Sequence, residues 1–154
     1  MSDWKRSTRE VLFENLASDI RAEIQKHIEL YNLGDILTDT LMMIQTDSEK
    51  VKKGLFGSAE LNHVAAILTS RWLVWVVSGT KSKIALLSAQ LRDVVIEDYA
   101  RTPFAKMIAD SGIQVSGRFT DVSENASAFI GLEENEVGNK FKELVIQTVQ
   151  QSRK

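Results

Sequence analysis

The sequence predicts an α+β fold, mainly β, with about seven antiparallel strands in a bent sheet or barrel, a capping C-terminal helix and an extra N-terminal helix. Three observations carry this expectation. Residues 67–79 are rich in β-branched and aromatic side chains and run into the turn former Ser78-Gly79-Thr80-Lys81, which favours an extended backbone. Both side-chain parities of that stretch are apolar, with Trp72, Val74 and Val76 on one and Leu73, Trp75 and Val77 on the other. A half-exposed strand alternates, so this one is expected to be covered on both faces. Segments of helical period flank the strand-rich middle.

Residues 8–31 are expected to form one helix. Phe13, Leu16, Ile20, Ile24, Ile28 and Tyr31 recur three or four apart on one stripe, and Gly34 stands where helices commonly end. The bases Lys5, Arg6, Arg9, Arg21 and Lys26 nearly balance the acids of the same segment, which favours a packing helix over one lying on an anionic membrane. From Ile36 the period changes. Strands are expected over 36–46, 60–69, 71–77, 84–87, 94–99, 113–119 and 126–132, with a polar loop at 47–58 and a turn at 88–93. Thr102-Pro103 opens a connection with a short helical turn through Met107-Ile108. In the last segment Val137, Phe141, Leu144, Val145 and Thr148 share a helical face. Glu133, Glu134 and Glu136 near its start and Arg153-Lys154 at its end suit the helix dipole. The organisation is an N-terminal amphipathic helix over 1–34 and one compact domain over 35–154.

Composition narrows the function classes. The chain has 154 residues, which suits one domain with a substantial core. Lys and Arg number 19 against 21 Asp and Glu, a net charge of −2, whereas a dedicated nucleic-acid binder usually carries a basic excess. Cysteine is absent, which removes disulfides, thiolate metal sites and cysteine nucleophiles and fits a reducing compartment. The first residues lead into a charged amphipathic segment, not a signal-peptide apolar run, and no apolar stretch reaches ~18 residues. A cytoplasmic location is expected.

Two stretches carry a family resemblance. Ala66-Ile67-Leu68-Thr69-Ser70-Arg71-Trp72-Leu73-Val74 is similar to the leucine-threonine-x-arginine-x-leucine strand junction of bacterial pleckstrin-homology-like domains. Ser127-Ala128-Phe129-Ile130-Gly131-Leu132, running into residues 137–149, resembles their last strand and capping helix. The resemblance spans residues 35–150 and implies a bent sheet whose open end the terminal helix plugs; the N-terminal helix lies outside it. Covering open barrel ends and sheet edges is a physical need of such folds. Arg71, at the start of a strand, is expected to satisfy nearby carbonyls, with contact to an anion as the alternative.

The sequence holds no nucleophile elbow, phosphate loop, dinucleotide fingerprint or zincin motif. His27 and His63 lack ligand spacing and read as structural residues. Catalysis, a metal and a cofactor are not expected. Gly54-Leu55-Phe56-Gly57 after Lys52-Lys53 has the form of a KH-domain loop, but such a loop joins helices and these flanks read as strands. Asn125-Ala126-Ser127 is a formal glycosylation sequon with nothing upstream to direct secretion. The leading expectation is a non-catalytic interaction or assembly module that binds a protein or peptide, or copies of itself. Its candidate interaction helix carries Phe13, Leu16, Ile20, Ile24 and Ile28. The alternative is a peripheral module for anionic lipid. In pleckstrin-homology domains the loops that here hold Lys50, Lys52, Lys53, Lys81 and Lys83 form a headgroup-binding rim, and Phe56 would enter the interface.

Overall fold

The computed structural model describes residues 4–50, 60–80 and 83–153. The principal elements are β1 (Trp4–Glu10), α1 (Ser18–Tyr31), β2 (Thr40–Lys50), β3 (Glu60–Thr69), β4 (Trp72–Gly79), β5 (Ala85–Gln90), β6 (Val94–Asp98), β7 (Gly112–Arg118), β8 (Asn125–Gly131) and α2 (Glu136–Ser152). Short 3-10 turns lie at Phe13–Asn15, Leu91–Asp93, Tyr99–Arg101 and Pro103–Lys106. Strands β1 to β5 pair antiparallel in chain order, and β6 to β8 form a second antiparallel sheet. The fold is α+β and mainly β.

Both faces of β4 are covered. Leu73 and Trp75 point into the main core between the sheets and α2, where Trp75 meets Phe119 edge-to-face at 5.2 Å. Val74 and Val76 point the other way, into a second cluster built with α1. Trp75 is 1 % exposed, and Trp72 is half-buried against that second cluster. Thr69 shapes the junction before β4: its Oγ1 accepts the N–H groups of Arg71 at 3.1 Å and Trp72 at 2.9 Å. The Arg71 side chain is exposed, and its main-chain carbonyl, not its guanidinium, joins the local structure by accepting Leu91 N–H.

Helix α2 closes the main core with Phe141, Val145 and Val149. Asn135 caps it, its Oδ1 accepting Gly138 N–H at 2.8 Å. A side chain at Gly138 would collide with the Glu133 carbonyl, so the tight entry into the helix requires glycine.

The expected helix over 8–31 is corrected at its start: it begins at Ser18, and Trp4–Glu10 is an eighth strand paired with β2. The inner face of this pair is polar, which hides the strand from a hydrophobic pattern. Thr8 and Thr46 share a hydrogen bond at 2.8 Å there, and Arg6 donates to Ser48 at 2.6 Å. The outer edge of β1 is satisfied by the segment before α2: Glu133 accepts Thr8 N–H, and Asn135 donates to the Thr8 carbonyl. The helix ends at Asn32, whose left-handed φ of 58° makes the turn before Gly34. Strand β2 starts at Thr40 and continues to Lys50, so the loop expected from Asp47 gives way to strand over 47–50. Strand β5 runs to Gln90, because Ser88 bonds to His27 and Thr120 instead of turning.

Candidate functional site

A broad concavity lies between β6 and α2. Val94 begins β6 with its N–H donating to the Leu91 carbonyl and its own carbonyl accepting from the Arg153 guanidinium. Both groups therefore face away from β7. Pairing alternates along an antiparallel ladder, so the N–H and C=O of Ile96 share that outward direction. No hydrogen bond caps them among the described residues. They open on a groove of 530 Å³ whose walls include Ile96, Glu97 and Arg101 on one side and Glu143, Ile146 and Gln147 of α2 on the other. An ion pair spans it, Lys142 Nζ to Asp98 Oδ2 at 3.0 Å. Burial alone would raise Asp98, but Lys142 and the Ala100 N–H hold its carboxyl below the ordinary value. This is a strand edge with an apolar floor, charged walls and main-chain donors and acceptors.

A second hollow of 350 Å³ lies where α1 starts over the outer face of the large sheet. Asp47, His63 and Ser78 stand opposite one another on β2, β3 and β4. Asp47 binds His63 Nδ1 at 2.6 Å, accepts from Arg9 at 2.7 Å and accepts from Gln45 at 2.9 Å. Its carboxyl is lowered: burial pushes it up, and these three donors more than offset that. No hydrogen bond joins His63 to Ser78 among the described residues, so the row is not an assembled acid-base relay. His27 is buried, sharing a 2.8 Å hydrogen bond with Ser88 and packing 4.6 Å from the Tyr31 ring. Tyr31 in turn donates to Asp121 at 2.8 Å. These contacts tie α1 to β5 and to the β7–β8 turn.

The expected interaction-helix residues gather against the large sheet. Leu16 and Ile24 are buried on the outer sheet face, and Phe13, Ile20 and Ile28 pack partly buried around them. The apolar stripe is covered by the chain's own sheet. Lys50 ends β2 with its Nζ 5.8 Å from the Trp4 ring centre, and Lys83 is exposed before β5. The β2–β3 and β4–β5 connections leave the sheet at the same end, as the pairs Lys50–Glu60 and Val77–Ala85 require. Lys52, Lys53, Lys81 and Phe56, with the neighbouring Leu55, lie outside the described residues.

The chain matches no family model, no curated protein and no solved structure. No helix among the described residues is long and apolar enough to cross a membrane. The β6–α2 groove was not legible in the sequence, because it is made by residues about fifty positions apart and by an edge that only the strand order reveals. The nearest sequence signal is the turn expected over 88–93, since a 3-10 turn at Leu91–Asp93 separates β5 from β6, which lie in different sheets.

Proposed function

We propose that this protein is a non-catalytic interaction module that takes up an extended segment of a partner protein along β6, between that strand and α2. One feature carries the reading: by the alternation of the ladder the Ile96 main-chain groups face the groove, and no hydrogen bond outside the ladder reaches them among the described residues. An added strand would satisfy them, giving sequence-independent affinity, while side-chain pockets supply selectivity. Ile96 and Ile146 would receive an apolar side chain, and Glu97 and Glu143 favour a basic residue beside it. The order after α1, seven strands and then a closing helix, is the one that the pleckstrin-homology-like resemblance implies. A second copy offering its own β6 is the self-associating form of the same reading.

The test is selection of peptides from a displayed random library against the full chain, followed by calorimetry. Ile146→Arg places a bulky charge in the groove, away from the core. It is expected to weaken binding about tenfold or more, with the thermal midpoint unchanged. Selected peptides that bind Ile146→Arg as tightly as the native chain would contradict this function.

A further inference from the structure

The connection from β6 to β7 carries three large, exposed apolar side chains within five residues. Phe104 is 60 % exposed, Met107 85 % and Ile108 67 %. Phe104 lies in the 3-10 turn Pro103–Lys106, and Met107 and Ile108 follow it directly, both donating their N–H to the Phe104 carbonyl. The turn is built, not loose. Thr102 donates to the Tyr99 carbonyl at 2.7 Å, Pro103 opens the 3-10 segment, and the Tyr99 hydroxyl donates to the Ile108 carbonyl at 2.6 Å. Tyr99 is itself seated edge-on against Phe129 at 5.1 Å. A rigid foundation thus holds three large apolar groups out in water, where burying them would be favourable.

Charge indicates what they meet. Between Tyr99 and Ala109 the only charged residues are Arg101 and Lys106, both exposed, in a chain whose net charge is −2. The flanking acids are engaged, Asp98 by Lys142 and Asp110 by Arg6. Where the chain leaves the turn, Ala109 and Asp110 border a hollow with Trp4, Arg6, Glu133 and Glu134. Three side chains on one short turn cover far less than the ~800 Å² per partner of a standard protein interface. A bilayer surface needs no matching shape: apolar groups enter the headgroup boundary while bases stay with anionic lipid.

We propose that the Pro103–Lys106 turn, with Met107 and Ile108, is a membrane-contact element that inserts Phe104, Met107 and Ile108 into the interface of an anionic bilayer, with Arg101 and Lys106 on the headgroups. It borders the peptide groove, whose wall includes Arg101, and does not use Lys50 or Lys83. The contact is weak alone and salt-sensitive, since a few exposed charges are screened over ~8 Å at physiological ionic strength.

Co-sedimentation of the full chain with phosphatidylcholine vesicles, with and without phosphatidylserine, tests it. Binding is expected only with phosphatidylserine, falling as salt is added. The triple change Phe104→Ser, Met107→Ser and Ile108→Ser is expected to lower the apparent partition coefficient about tenfold or more. Its thermal midpoint checks folding. Lys106→Glu, which keeps the apolar groups, is expected to give a smaller loss at low salt and none at high salt. The proposal is overturned by absence of binding to phosphatidylserine vesicles at low salt. It is equally overturned if the triple variant binds as the native chain does, which would move the contact to the lysine-bearing connections. A dimer in light scattering that the triple change dissolves, without vesicle binding, would make the turn a self-contact instead.

Discussion

Trp75 and Trp72 are three residues apart on one strand, and the two core clusters use them differently. Trp75 is enclosed between the sheets against Phe119, whereas Trp72 is half-buried under α1. Trp75→Ala is expected to cost ~3–5 kcal/mol through lost transfer energy and a cavity, and Trp72→Ala clearly less, as urea midpoints would show. Equal losses would mean that the two faces of β4 are equally deep. His27 makes a prediction with a pH sign. Burial lowers its pKa below the ordinary 6.5, with the Asp121 charge opposing in part. The unfolded chain therefore binds the proton more readily. The stability contributed by the neutral ring is complete above pH 6.5 and is lost as pH falls below it through the folded value. In His27→Gln the slope of unfolding free energy against pH, measured between about pH 5 and 7, should flatten. An unchanged slope would assign the titration to another group.

Among the elements, α2 and β3 were legible because their burial is written in apolar side chains. Strand β3 was expected at 60–69 and is found at Glu60–Thr69, and the α2 face through Phe141 and Val145 lies in the core as its period requires. Phe141→Asp is expected to abolish cooperative folding, since the carboxylate would be buried without a partner. Glu143→Gln on the exposed side should shift the midpoint little. Circular-dichroism melts separate the two. Strand β1 was illegible for the opposite reason: what holds it is polar and distant in sequence. Arg6 forms a bidentate pair with Asp110 at 2.8 and 2.6 Å and lies 5.4 Å from both the Trp4 and Phe129 ring centres. No local pattern announces a partner more than one hundred residues away. Asp110→Ala leaves the guanidinium, whose side chain is 12 % exposed, without its carboxylate. The expected cost is ~3 kcal/mol, at the low end for a broken buried pair because some water reaches it. A loss below about 1 kcal/mol, the usual worth of an exposed pair, would show that β1 is held by its ladder alone.

Among the described residues, the edge of β6 opens on a groove beside α2. The β1 edge is closed by Glu133 and Asn135, and α1 closes the outer face of the large sheet. β6 faces a groove. The sequence suggests an interaction module through its surplus of apolar segments and leaves open whether Phe13, Leu16, Ile20, Ile24 and Ile28 meet the sheet or a second subunit; they pack against the chain's own sheet. It could not show that a turn anchored by Leu91 would separate β5 from β6 and bare the main chain of Ile96. Residue-resolved amide hydrogen exchange, on the free chain and with a saturating groove-selected peptide, tests the open edge most directly. The account predicts fast exchange at Ile96 in the free protein, slow exchange at Val95 and Glu97, which pair with β7, and strong slowing at Ile96 once the peptide is bound. An Ile96 amide already protected in the dilute free chain, or one whose exchange the peptide leaves unchanged, would contradict it.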